Sequence, residues 1–354
     1  MKKILIISTW LPGGGVETVI NNFYSNLNDK FDLEVIVLSN KQNWDWPNPE
    51  LKIERQEIFQ SDKISIREVV KKWRLLRNLL DNKLAKSKPD IIIFTHSILG
   101  CFLAKYKKSI KVIFWPHNTF FNQNSSIHNF IKKLYLKIVI GQPHISLAIT
   151  TSLKNELKRL NFNSYLTFNP VLNAEKVNLN IPSKNNFLFI GKLDKRKNLI
   201  HVLKELKQVP KPWTIDIIGD GPELKKFKKD FKSTQGGIIN WKGYQKQLFN
   251  ENLSYTCLIN SSLSEGFPMV IADALLHGIP VVAPEHLLLG NDIIYSNANG
   301  SEYDLFKSGE LAKILSDNRE YLSPSCISNM HKAKFGKQAY NKRFIDSIYK
   351  LFEC

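Results

Sequence analysis

The sequence predicts an α/β protein made of two doubly wound, Rossmann-like domains facing each other across a cleft. Three observations predict it. Short β-branched runs alternate with longer helical patterns along all 354 residues. The runs are continuously apolar, as in parallel strands covered on both faces. They form two sets, parted by FNPVLNAEKVNLNIPSKNN, Phe168 to Asn186, which has turn residues and little periodicity. A chain this long exceeds one small core.

In the first half the expected strands are Lys3–Ser8, Leu33–Ser39, Ile91–Thr95, Lys111–Trp115 and Ser146–Thr150. In the second half they are Phe187–Gly191, Thr214–Gly219, Ile238–Trp241, Cys257–Asn260 and Pro280–Ala283. The domains then span 1–172 and 173–332, with 333–354 as a terminal helix crossing back to the first domain by fold-level analogy. Ligands of such sheets bind outside the carboxyl ends of the strands.

Composition excludes several classes. The four cysteines, Cys101, Cys257, Cys326 and Cys354, lack metal-ligand spacing, so neither a disulfide framework nor a structural metal is expected. MKKILIISTW is too short an apolar run for a signal peptide, and nothing approaches the roughly 18 apolar residues of a membrane span. A cytoplasmic location is expected. The net charge of +18 invites a nucleic-acid reading, but no recognition helix or known module accompanies it.

Five segments carry chemistry. LPGGGVETV places Gly13, Gly14 and Gly15 between strand and helix, as an anion loop or a plain turn. FIGKLDKRKN gathers Lys192, Lys195, Arg196 and Lys197 at a strand end; Lys192 and Lys197 can converge on a diphosphate, or the loop is merely solvated. IIGDGPELKKF reads as a tight turn with Pro222 opening a helix, and NWKGY offers backbone groups and Tyr244 to a base. VIFWPHNTFF presents His117 just past a strand. SLSEGFPMVIAD sets Glu265 before a helix that starts at Pro268, with Asp273 in its second turn. Two acids beside a phosphate would repel it; they make sense facing sugar hydroxyls, which donate to carboxylates.

Together these segments resemble glycosyltransferase family 4, which has the GT-B fold. Glu265-x7-Asp273 within SEGFPMVIADALLHGIPVV is similar to the family's E-x7-E signature, and GGVE, GKLDKRKN, GDGPE and NWKGY follow its other segments in order. The resemblance implies retaining transfer of a sugar from a nucleotide diphosphate, with no metal or other cofactor. It makes the first domain the acceptor domain and the second the donor domain. It implies that Gly14, Gly15, Lys192 and Lys197 bind the donor diphosphate. Glu265 and the segment Gly266, Phe267, Pro268 and Met269 would hold the donor sugar, Asp273 the ribose, and Gly243 and Tyr244 the base. His117 and Glu265 are the candidate catalytic residues. Two positions depart from the pattern: lysine stands at 192 where arginine is common, and Asp273 is one methylene shorter than glutamate.

FWPHNTF, TFNPV and SEGFPM further resemble lipopolysaccharide core 1,6-galactosyltransferases. The expected activity is transfer of a hexose, galactose or glucose, from a UDP-sugar to a lipid-linked glycan such as a lipopolysaccharide or lipooligosaccharide core. Capsule or O-antigen synthesis and an inactive nucleotide-sugar-binding homologue are the alternatives. A non-hydrolysing epimerase would need a proton-transfer set that is not visible. From Ile91 to Asn155 there is no acid, and Lys63 to Lys88 reads as a basic amphipathic helix. An anionic membrane surface is therefore an expected partner, at the inner face of the cytoplasmic membrane.

Overall fold

The computed structural model describes residues 1–9, 15–39, 49–59, 66–118, 120, 126–171, 184–233, 235–245, 248–249, 254–287, 289, 292–317 and 319–353. The chain divides into two units, Met1–Pro170 with Lys337–Cys354, and Val171–Gly336.

The first unit is built on a parallel sheet of β1 (Lys2–Ser8), β2 (Phe31–Ser39), β3 (Lys52–Phe59), β4 (Ile91–Phe94), β5 (Lys111–Phe114), β6 (Ile145–Ala148) and β7 (Ser164–Leu166), in the order β3-β2-β1-β4-β5-β6-β7. Ile4–Ile7 and Ile91–Phe94 are buried on both sides, which explains their unbroken apolar runs. Its helices are α1 (Gly15–Leu27), α2 (Ile66–Lys71), α3 (Trp73–Ser87), α4 (Gly100–Leu103), α5 (Ser126–Ile140) and α6 (Thr151–Arg159). In α1, Val19, Ile20, Phe23 and Leu27 recur at helical spacing and are buried.

The second unit repeats the plan with β8 (Asn186–Ile190), β9 (Trp213–Ile218), β10 (Gly237–Gly243), β11 (Cys257–Ile259), β12 (Val281–Pro284) and β13 (Gly300–Tyr303), in the order β10-β9-β8-β11-β12-β13, again parallel. Around it lie α7 (Leu199–Glu205), α8 (Leu224–Asp230), α9 (Met269–Leu276), α10 (Glu310–Ser316) and α11 (Pro324–Phe335). The final helix, α12 (Lys337–Phe352), returns to the first unit, where Phe344 meets Phe23 edge-on at 4.9 Å and Phe31 at 6.0 Å.

Strand order reverses beside β1 in one sheet and between β8 and β11 in the other. The loops leaving β8 and β11 stand at the carboxyl ends of the strands at that reversal, the usual ligand position in such sheets. These loops carry Lys192–Lys197 and Ser262–Glu265.

Three details differ from the sequence expectation. β3, β7 and β13 were not foreseen, and all three are edge strands. Pro222 precedes Glu223, the N-cap of α8, because Leu224 N–H turns back to the Gly221 carbonyl at 3.1 Å. Pro268 is the N-cap of α9 rather than its first residue, with ψ of 89°, and Asp273 stays in the second turn.

Candidate functional site

The basic loop after β8 is shaped by its neighbour. Gly219 has φ of 145°, and a Cβ there would lie 1.9 Å from the Gly191 carbonyl oxygen. Only glycine permits that approach. The Gly219–Gly221 turn thus packs on the loop, and Leu193 N–H donates to the Asp220 carbonyl at 2.9 Å. Asp194 Oδ1 takes the Lys197 amide at 3.0 Å and closes the loop's far end.

The acid loop after β11 is stitched to it. Ser261 Oγ donates to the carbonyls of Lys197 and Asn198 at 2.9 and 3.0 Å, and Leu263 N–H donates to the Arg196 carbonyl at 2.8 Å. At the junction sits Glu265. Its Oε1 accepts from Lys197 Nζ at 2.5 Å and Ser262 Oγ at 2.7 Å, and its Oε2 lies 3.1 Å from Arg196 Nη1. Burial opposes ionisation of this carboxyl. The charges of Lys197 and Arg196 and the Ser262 hydroxyl outweigh it and hold the group below its ordinary range.

Glu265 is followed by Gly266, Phe267 and Pro268, then by α9. Among the described residues no side chain caps that helix, so the N–H groups of Met269 and Val270 remain available to a ligand oxygen. Met269 and Phe267 are buried, and Phe267 packs on Phe335 of α11 at 5.9 Å between ring centroids, which anchors the segment.

Asp273 is the odd member of α9, whose Ile271, Ala272, Ala274 and Leu275 are fully buried. The residue keeps some exposure, yet burial pushes its carboxyl up to about 7. Among the described residues its carboxylate makes no hydrogen bond or ion pair. Lys192 is exposed and likewise has no polar partner among the described residues, so its ammonium is available to an anion. Gly243 ends β10 with φ of 68°, and its carbonyl takes Gly219 N–H at 2.8 Å. Tyr244, 69% exposed, follows it directly in the chain. The second unit therefore gathers Lys197, Glu265 and Gly266–Met269 around α9's start, with Lys192 on the adjoining loop.

In the first unit His117 follows β5 and packs on buried Trp115 at 4.8 Å between ring centroids. Its Nε2 is buried without a partner among the described residues, and burial lowers its pKa to about 3. The ring is therefore neutral near pH 7 and acts as a hydrogen-bonding group, not a cation. Gly15 opens α1, and a Cβ there would meet nothing within 4 Å. Gly14 lies outside the described residues.

Three residues went unassigned in the sequence. Arg196 was one lysine-like member of a basic cluster until its contact with Glu265 was visible. Ser262 stands three residues before Glu265. His286 follows β12, and its Nε2 lies 3.1 Å from the Leu263 carbonyl oxygen; the strand-end argument applied to His117 would have found it. A hollow near Asn186, Trp213 and Lys242 lies at the amino ends of β8 and β9, the end such sheets do not use for ligands.

Residues 184–316 match the family model described as glycosyl transferases group 1. The chain is 25% identical over 376 residues to the lipopolysaccharide 1,6-galactosyltransferase of Salmonella typhimurium, covering 97% of this chain and 98% of that one. A solved structure of the lipopolysaccharide outer core galactosyltransferase WaaB, apo form, superposes with a TM-score of 0.74 at 24% identity, covering 98% and 99% of the two chains. Anabaena Alr3699/HepE in complex with UDP gives 0.73 at 15% identity, covering 99% and 100%. The fold is GT-B. The protein is a nucleotide-sugar-dependent glycosyltransferase, with its group 1 segment in the second unit.

Proposed function

We propose that this enzyme is a retaining family 4 glycosyltransferase. It moves a hexose, galactose or glucose, from a UDP-sugar to a lipid-linked glycan of the lipopolysaccharide or lipooligosaccharide core. One observation carries the reading: Glu265 is fixed between a basic loop and an uncapped helix end at the strand-order reversal. That site alternates in character as a nucleotide sugar does. Glu265 accepts sugar hydroxyls, Lys192 and the α9 amides face the diphosphate, and Asp273 accepts ribose hydroxyls. Lys197 joins the diphosphate while keeping Glu265 in place. Gly243 and Tyr244 border the base.

The chemistry follows from charge. Breaking the sugar–phosphate bond concentrates negative charge on the leaving diphosphate, and pre-aimed cations and N–H groups stabilise it. His117, neutral and with an unsatisfied ring nitrogen, is suited to a sugar hydroxyl in the first unit's part of the reaction. The similarity to a 1,6-galactosyltransferase favours galactose and a core acceptor.

A basic first unit also suits work at an anionic membrane surface. No described helix is long and apolar enough to cross a bilayer. Helix α5 instead displays Leu134, Tyr135 and Ile138 at 58, 39 and 68% exposure beside Lys133 and Lys137.

A thermal-shift panel of UDP, ADP, GDP, UDP-galactose and UDP-glucose at one fixed salt concentration tests the donor reading. UDP at a hundred times its Kd should add about 2.7 kcal/mol of stability. Equal shifts for all three nucleoside diphosphates, or no shift with any ligand, would overturn it.

A further inference from the structure

Two hydrogen-bond donors and one further cation converge on one carboxylate, and they do not share it evenly. Oε1 of Glu265 takes both Lys197 Nζ and Ser262 Oγ, at 2.5 and 2.7 Å. Oε2 has one neighbour, Arg196 Nη1, at 3.1 Å. A carboxylate oxygen has two lone pairs, so Oε1 is filled, while Oε2 accepts no hydrogen bond among the described residues and is held only by the charge of Arg196. The oxygen left for a ligand hydroxyl is the one Arg196 touches.

Arg196 is itself held in place. Its Nη1 also donates to the Ser264 carbonyl at 3.1 Å, and its own carbonyl receives the Leu263 amide at 2.8 Å. Side chain and main chain thus tie three successive residues of the acid loop to the basic loop. A guanidinium meets two acceptors at fixed angles, whereas an ammonium is a point charge on a flexible stem. The side chain is 46% exposed and lies outside the hydrophobic core.

We propose that Arg196 is a positioning residue that sets the orientation of Glu265 Oε2 for the donor sugar. It acts through Glu265 and leaves the diphosphate to Lys192, Lys197 and the α9 amides. This rests on the donor reading given above and adds a division of labour within the basic loop: Lys192 and Lys197 for charge on the diphosphate, with Lys197 also on Glu265 Oε1, and Arg196 for Glu265 Oε2 alone. It also makes recognition of the sugar separable from recognition of the nucleotide.

The separation is measurable by calorimetric titration of wild type, Arg196→Ala and Arg196→Lys with UDP and with UDP-galactose and UDP-glucose. For the UDP-sugar that wild type prefers, Arg196→Ala should raise Kd about tenfold, while Kd for UDP changes less than twofold. Arg196→Lys keeps the charge but not the fork, and should recover only part of the loss. All variants should keep the wild-type melting temperature to within a few degrees, since the side chain is nearly half exposed and outside the hydrophobic core. Equal losses for UDP and UDP-sugar would overturn the assignment by placing Arg196 on the diphosphate, and unchanged affinities would overturn it outright. Wild-type protein that binds none of the probes would instead overturn the donor reading beneath it.

Discussion

Asp273 shows how one residue can be chemically conspicuous and structurally ordinary. Its helix is apolar on nearly every side, and burial moves its carboxyl from 3.8 up to about 7. A raised carboxyl binds its proton more tightly in the folded protein than in the unfolded chain. Its contribution to stability is therefore complete below pH 3.8 and is lost as pH rises toward about 7. Asp273→Asn removes the charged form altogether. The melting temperature of that variant relative to wild type should rise between pH 5 and pH 8, and a difference independent of pH would contradict the shift. Ribose hydroxyls donate to the ionised form, so UDP should narrow the gap at pH 8. At this scale the sequence showed Glu265 and Asp273 by their spacing and the helix signal between them. It did not separate Arg196 from its lysine neighbours, because which cation reaches a carboxylate depends on side-chain direction within a loop.

Helices and strands were legible where burial made them periodic. The interior strands β1, β4, β8 and β12 carry the buried apolar runs Ile4–Ile7, Ile91–Phe94, Phe187–Ile190 and Val281–Ala283, which are legible directly. The edge strand β3 is KIERQEIF, in which Lys52, Glu54 and Arg55 are exposed, and β7 and β13 are only three and four residues long. Edge strands carry charge and stay short to avoid pairing with other chains, and the same features hide them from a reading based on apolar runs. The basic segment Lys63–Lys88 was expected to be an amphipathic membrane helix. In the structure Leu76, Leu80 and Leu84 of α3 face the first unit's own core, and Trp73 stacks on Phe102 at 4.0 Å. That stripe is already covered, and of the α3 leucines only Leu75 is largely exposed, at 56%. Helix α5, with Leu134 and Ile138 outward, is the better candidate for apolar contact. The enzyme should sediment with phosphatidylglycerol vesicles and less with phosphatidylcholine vesicles, and the pair Leu134→Ser and Ile138→Ser should weaken the anionic binding several-fold. Equal sedimentation with both vesicle types would count against a membrane partner.

For the molecule as a whole, two reversing parallel sheets were legible from the alternation of strands and helices, and the motifs fell at strand ends because that is where loops meet ligands. The chain's return through α12 to the first unit was reachable only by analogy, since nothing local in a helical pattern says which core it joins. The switch falls between Gly336 and Lys337, where α11 ends and α12 begins. The second unit carries more chemistry in readable form than the first, because cations and carboxylates at fixed spacing leave a signature in the sequence. His117 is the exception, visible because it stands at a strand end.

The central claim is that Glu265 holds the sugar of a nucleotide-sugar donor. Glu265→Gln keeps the shape of the side chain, removes its charge and leaves Lys197 and Arg196 without their counter-ion. The most direct measurement is release of UDP from UDP-galactose or UDP-glucose by this variant and by wild type, with UDP affinity measured alongside. Turnover should fall by about a hundredfold or more, the scale of losing a transition-state contact, while UDP binding stays within a few-fold of wild type. Near-normal turnover by Glu265→Gln would contradict the claim.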